Sequence, residues 1–244
     1  MKFKTAGDLI NQVAVEAGLP KSTDPYASID PAMVQLVALL STCGNELFEE
    51  FDWQTLRREV TITTKSTDSG IYPLPADFAY MIPQTGWERT GNNPLFGPLS
   101  PQTWAYLKGR DLVSSTIYAS FRLTEGKLYI FPQPPPAGLN ITYEYISTNW
   151  VMDSQNPGNY LDAPARASDT VLYIPRVISR LLKLRFLQAR GFANEKETDD
   201  FLTTVEHWKG RDKSSPVLNA GGGSYGYPYL NPWDNVADTR YGDY

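Results

Sequence analysis

Few side chains in this sequence have a type and spacing suited to chemistry. His207 is the single histidine and Cys43 the single cysteine among 244 residues. One cysteine cannot form an intramolecular disulfide or a cysteine zinc site, and a single histidine removes the usual general base and most zinc chemistry. The acidic runs Glu49-Glu50-Asp52 and Asp199-Asp200 do not form acid–base pairs, because neighbouring side chains on a helix point about 100° apart. We therefore expect no catalytic residue, no cofactor and no metal, and the protein is predicted not to be an enzyme.

Four basic residues recur on one predicted helix near the end of the chain: Arg176, Arg180, Lys183 and Arg190. Residues three, four and seven apart share a helix face, so these four form one basic stripe. Two interpretations stay open. The stripe is either a solvated face that pairs with the acidic start of the next helix, or a contact with another subunit or with DNA.

The last segment, residues 214–244, contains three consecutive glycines, Gly221 to Gly223, followed by many aromatic residues. Flexible linkers are rich in Gly and Ser, whereas Tyr and Trp are typical anchors of interfaces. We therefore predict an extended C-terminal arm that docks on a partner. Its candidate interface residues are Tyr225, Tyr227, Tyr229, Trp233 and Tyr241.

Amphipathic patterns predict helices at both ends of the chain. Thr5 and Asp30 have the type and position of N-caps for the first two helices. Near the other end, Asp169 or its predecessor is predicted to cap a helix that stops at Gly191. The last helix, about 194–211, begins acidic and ends basic, as the helix dipole favours.

Alternation of apolar and polar residues predicts strands in the middle of the chain. Two of them form a hairpin about Glu125-Gly126-Lys127, and the stretches 87–99 and 152–167 are predicted loops. The predicted strands are 60–63, 117–122, 128–131 and 141–146.

Helices, then strands, then helices indicate an α+β fold. We predict a helical bundle built from the N- and C-terminal helices, residues 1–56 and 168–213, with an inserted antiparallel β-rich lobe, residues 57–167, and the extended arm, residues 214–244.

The composition limits the classes of partner that this protein is expected to bind. The net charge of −5 does not suit a protein that grips nucleic acid by its phosphates, which requires a basic surface. No stretch approaches the roughly 18 apolar residues of a membrane span, and the N-terminus lacks the apolar core of a signal peptide. We expect no membrane contact and a cytosol-like compartment.

Three motifs in the sequence are similar to those of a known family. Phe51-Asp52-Trp53-Gln54-Thr55-Leu56-Arg57 resembles a "W-x-x-L/I" junction, and Tyr72-Pro73-Leu74-Pro75-Ala76-Asp77-Phe78 resembles "Y-x-L-P-x-D-F". Leu128 to Pro132 together with Ile141 to Tyr145 resembles "L-x-I-x-P…Y-x-Y". These motifs are those of head-to-tail adaptors of tailed bacteriophages, the tail tubular protein A class, and the resemblance covers about residues 5–212.

The resemblance implies a structural virion protein of the neck or tail, assembled in the host cytoplasm. Such a subunit forms an oligomeric ring, commonly of twelve copies, which joins the portal protein to the tail nozzle or tube. DNA passes through without specific binding. Two alternatives remain: another virion protein, for tail completion or head decoration, or a carbohydrate-binding module that uses Trp87 and Trp104.

Overall fold

The computed structural model describes residues 3–109, 120–192 and 194–212. Helices stand at both ends of this range and strands occupy the middle, so the predicted α+β class is confirmed. The predicted arm and residues 117–119 of the first hairpin strand lie outside the described residues. The helices are α1 (Ala6–Glu16), α2 (Pro31–Glu50), α3 (Pro101–Gly109), α4 (Pro175–Ala189) and α5 (Glu195–Asp212).

Local cap chemistry starts the first two helices, as predicted. Thr5 Oγ1 accepts a hydrogen bond from the Asp8 N–H at 3.2 Å. Asp30 Oδ1 accepts one from the Ala32 N–H at 3.0 Å, and Pro31 occupies the first turn of α2. Each cap satisfies a backbone donor that has no partner inside the helix.

Antiparallel pairing arranges the described strands in three sheets. The strands are β1 (Lys4–Thr5), β2 (Arg57–Thr63), β3 (Ile71–Pro73), β4 (Phe78–Met81), β5 (Trp87–Glu88), β6 (Asn93–Pro94), β7 (Ser120–Thr124), β8 (Lys127–Phe131), β9 (Asn140–Ser147), β10 (Val151–Met152), β11 (Tyr160–Leu161) and β12 (Thr170–Val171). Their orders are β2-β9-β5-β6, with β4 also on β9; β3-β8-β7; and β1-β12-β10-β11.

The predicted hairpin is β7–β8, and it turns through two residues with positive φ, Glu125 at 54° and Gly126 at 68°. A two-residue hairpin turn of type I′ needs positive φ at both positions. The next strand, β9, does not extend this hairpin. Seven of its eight residues pair with β2, from Arg57 opposite Ile146 to Thr63 opposite Asn140.

Three local predictions were wrong. The stretches 87–99 and 152–167 contain β5, β6 and β11. Those strands have two residues each, too few for alternation to show. Asp169 does not cap a helix: α4 begins at Pro175, and its N-cap residue Ile174 provides no side-chain hydrogen bond.

Buried apolar side chains form two clusters. One joins α1, α2, α4 and α5 around Trp53, Trp150 and Tyr173. The Trp150 and Tyr173 rings stack at 5.5 Å, and Trp53 meets Tyr173 edge-on at 6.1 Å. The other cluster lies among the strands and includes Leu128 and Tyr143. Both clusters lie in the same compact unit, Met1–Asp212, and the domain boundaries inferred from the sequence stay a prediction.

Candidate assembly surfaces

The basic stripe of α4 makes ion pairs inside the chain. Arg180 lies 3.6 Å from the Asp200 carboxylate and donates a hydrogen bond to the Asp200 carbonyl at 2.7 Å. Lys183 lies 3.9 Å from Glu197 of α5 and 4.0 Å from Glu16 of α1. These two cations therefore connect α4 to the acidic start of α5, one of the two interpretations left open by the sequence.

The two outer members of the stripe, Arg190 and Arg176, form no salt bridge with the described residues of α5. The Nε of Arg190 donates to Gln35 Oε1 at 3.0 Å, and its guanidinium lies 5.1 Å from the Phe186 ring centre. Arg176 is exposed and forms no salt bridge with any described residue. A cleft of about 380 Å³ beside α4 is lined by three cations and three carboxylates: Arg176, Arg180, Lys183, Glu16, Glu197 and Asp200. A balanced set of charges suits contact with a protein surface better than a grip on phosphates.

Charge reversal of Arg180 and Lys183 to glutamate is expected to weaken assembly far more than folding. Inside the chain both pairs are partly exposed, and exposed pairs contribute about 0.2–1 kcal/mol each. Like charges opposed across a subunit interface cost several-fold more. Thermal melting and sedimentation of the purified protein measure the two effects separately.

A matched variant tests whether the stripe contacts another subunit. Adding Asp200→Arg, Glu197→Lys and Glu16→Lys to the reversed pair restores each intrachain ion pair with opposite polarity. We expect melting to recover while assembly stays weak. Recovery of assembly together with melting would show that the stripe acts only within the chain.

The groups considered for chemistry do not converge. The Cys43 thiol is fully buried in α2, and burial, followed by the nearby charge of Glu46, raises its pKa to about 12. His207 lies edge-on to Trp208 at 5.8 Å on α5. Glu50 pairs with Lys209 of α5. Within the described ranges, no cluster of three His, Cys, Asp or Glu side chains is placed to hold a metal ion.

An apolar groove, not anticipated from the sequence, lies between the edges of two sheets. Its volume is about 350 Å³, and Phe78, Met81, Leu95, Phe121 and Leu123 are among its lining residues. Strands β4 and β7 supply six of its thirteen lining residues, and the segments 82–86 and 95–98 supply the others. The uncharged run Phe78 to Ile82 was the one available signal, because edge strands of stable sheets usually carry a charge.

The remaining interface candidates predicted from the sequence lie outside the described residues: Tyr225, Tyr227, Tyr229, Trp233 and Tyr241. No helix in the described part of the chain has the length and apolar character needed to cross a membrane.

The described residues thus hold a charged cleft beside α4 and an apolar groove between β4 and β7, and the groups considered for chemistry do not converge among them. Residues 4–212 match the sequence profile of the SU10 adaptor protein family, and the chain belongs to this family. The family indicates a structural adaptor protein of a bacteriophage virion. A comparison with curated proteins gave no match.

Proposed function

We propose that this chain is a head-to-tail adaptor of the tail tubular protein A type, which assembles into a ring between the portal and the tail nozzle or tube. The observation that carries the proposal is the family match over residues 4–212. The balanced charges beside α4 and the net charge of −5 support a ring through which DNA passes without sticking. In this proposal twelve copies assemble in the host cytoplasm and become part of the virion.

The arm, residues 214–244, is the second element of the proposal. It contributes anchors to a neighbouring ring, the portal or the nozzle through its aromatic residues. Ordering such an arm costs conformational entropy, so its aromatic side chains must bury enough area to offset that cost.

The test is direct imaging. Purified protein is mixed with its portal, and negative-stain electron microscopy together with light scattering is used to measure the assembly. We expect rings of uniform diameter on one end of the portal. A chain that stays monomeric with the portal at micromolar concentration, while its melting remains cooperative, would contradict the proposal.

The carbohydrate-binding alternative is poorly supported by the geometry. Trp104 is 5% exposed and packs against Tyr129 and Phe131 at 6.3 and 6.2 Å. Its ring is therefore not an open platform for a sugar. Trp87 is half-buried, and the Arg89 guanidinium lies 5.8 Å from its ring centre. A different virion role, in tail completion or head decoration, would appear in the imaging test as a different stoichiometry.

A further inference from the structure

A second groove, of about 310 Å³, is lined by residues of α2, α4 and α5. Five of its lining side chains are apolar: Leu47, Leu181, Phe201, Leu202 and Val205. Leu202 is 52% exposed, although the apolar residues around it are mostly buried. An exposed apolar side chain at the edge of a concave surface is typical of a site that contacts another protein.

The rim of this groove is acidic, because Glu46, Glu49 and Glu50 line it from the end of α2. Helix α2 contains no lysine or arginine, and negative charge at the C-terminal end of a helix opposes the helix dipole. Arg185 pairs with Glu46, and Lys209 pairs with Glu50. Glu49 is exposed and forms no salt bridge with any described residue. This acidic groove therefore keeps negative charge that the described chain does not neutralise.

The outer face of the sheet β3-β8-β7 has the opposite charge. Tyr129 of β8 lies on this face opposite Ile71 and Arg122, and Lys127 shares the face because alternate residues of a strand do. Ile71 is 40% exposed, and Lys127 is also exposed. Neither Arg122 nor Lys127 forms a salt bridge within the described part of the chain. This surface therefore combines exposed apolar area with positive charge.

Helix α3 extends this basic face with an aromatic ring and a third cation. Trp104 of α3 packs against Tyr129 at 6.3 Å, and Lys108 Nζ lies 5.8 Å from the centre of the Trp104 ring. The turn of the β7–β8 hairpin adds one carboxylate, Glu125, which accepts a hydrogen bond from the Tyr129 hydroxyl at 3.4 Å. Three cations and one carboxylate make the face locally basic on a chain whose net charge is −5.

Charge complementarity favours a second copy of this chain as the partner of both surfaces. The acidic groove and the basic face belong to one compact unit, Met1–Asp212, and no helix or strand contributes to both. One copy thus presents two complementary surfaces on separate elements, and a second copy supplies the complement of each. Contacts of this heterologous kind generate a ring when the rotation between copies closes. A nucleic acid would neutralise the basic face only.

We propose that the acidic groove of one copy binds the basic face of the next copy. Glu49 pairs with Lys127 across this contact, and the apolar side chains of the face cover Leu202. The opposite charges fix the head-to-tail direction, because two like surfaces repel each other. This inference rests on the proposed function, since it identifies the surfaces that join adjacent subunits of the ring.

Exchange of charges between two variants of the full-length protein tests the contact. Sedimentation equilibrium measures the self-association of Glu49→Lys, of Lys127→Glu and of their equimolar mixture. We expect each variant alone to associate about tenfold more weakly than the parent protein, because like charges then meet at every contact. In the mixture, the reversed groove of one variant meets the reversed face of the other, and the two unchanged surfaces also meet. Association should therefore recover to nearly that of the parent.

Two matched variants control for the change in net charge. Glu206→Lys and Lys21→Glu change it by the same amounts, and both residues are exposed and form no salt bridge with a described residue. Both lie outside the acidic groove and the basic face. We expect them to associate like the parent, and all four variants to melt like the parent, because none of the four residues has an ion-pair partner in the described chain.

Three results would overturn the inference. One is a mixture that associates no more strongly than either variant alone. Another is a parent protein that stays monomeric at millimolar concentration. The third is binding of a labelled single-stranded oligonucleotide that Lys127→Glu abolishes while self-association is unchanged, which would assign the basic face to nucleic acid.

Imaging with the portal separates this inference from the proposed function. Rings formed by Glu49→Lys alone and by Lys127→Glu alone, as readily as by the parent, contradict the pairing of the two surfaces but not the proposed function. Recovery of association in the mixture without any ring on the portal contradicts the proposed function but not the pairing.

Discussion

Replacing Gly44 by alanine is expected to destabilise the protein by about 3 kcal/mol, because the new methyl group has no room. An alanine Cβ would lie less than 3.0 Å from three atoms of the Trp150 indole. That ring is fully buried and stacked on Tyr173, whose hydroxyl donates to the Gly44 carbonyl at 2.9 Å. The indole therefore cannot move aside without losing this stacking and its Nε1–H hydrogen bond to Asn45 Oδ1 at 3.3 Å.

The expected loss of stability in Gly44→Ala is opposite in direction to the effect of helix propensity, so urea unfolding distinguishes the two. Helix propensity alone favours alanine over glycine by about 0.5–1 kcal/mol in a helix interior. Gly210 of α5 provides the matched control, since nothing lies within 4 Å of a Cβ built there. Urea unfolding should show Gly210→Ala as stable as the parent protein or slightly more so, and Gly44→Ala much weaker. Equal midpoints for the parent and Gly44→Ala would show that Trp150 does not lie against α2 as described.

Asp169→Ala is expected to cost about 3 kcal/mol, since hydrogen bonds to a charged group contribute about 1.5–3 kcal/mol each. The Asp169 carboxylate is fully buried and accepts hydrogen bonds from the Ala165 N–H at 2.9 Å, the Arg166 N–H at 2.8 Å and the Ser154 hydroxyl at 2.8 Å. Its own carbonyl accepts the Ala6 N–H at 2.8 Å. This residue therefore ties the connection before β12 to the first turn of α1.

The Asp169 carboxyl also makes the free energy of unfolding depend on pH in the acidic range. Burial by itself raises the pKa of Asp169, but the hydrogen bonds from Ser154, Arg166 and Ala165 outweigh it, and the pKa lies below its ordinary value. A carboxyl whose pKa is lowered by folding stabilises the protein above its unfolded pKa of about 4. That contribution is lost as the pH falls through the folded pKa.

Asp169→Asn should therefore be less stable than the parent at neutral pH and lose less stability on acidification below about pH 4. Urea midpoints measured across this range check both statements. Asp162→Asn is the control, because Asp162 is exposed and its carboxylate accepts no hydrogen bond from any described residue. Parallel acid profiles for the parent and Asp169→Asn would contradict the role assigned to this carboxylate.

Interactions between residues close in the chain were determined by the sequence itself. The caps at Thr5 and Asp30 each satisfy a backbone donor two or three residues away, so residue type and spacing were enough to predict them. The β7–β8 hairpin likewise depends on the turn at Glu125 and Gly126. The succession of helices, strands and helices then predicted the α+β class, and the motifs around Trp53 and Phe78 pointed to the adaptor family to which the chain belongs.

Contacts between residues far apart in the chain were decided only by the tertiary structure. Strand β9 follows the hairpin but pairs with β2, more than 70 residues earlier, and no local pattern encodes a partner at that separation. Asp169 has the residue type of a helix cap, yet burial beside β12 directs its carboxylate to Ser154 and Arg166. The apolar groove exists because β4 and β7 belong to different sheets that meet there. Each of these depends on which surfaces come together when the two apolar clusters form.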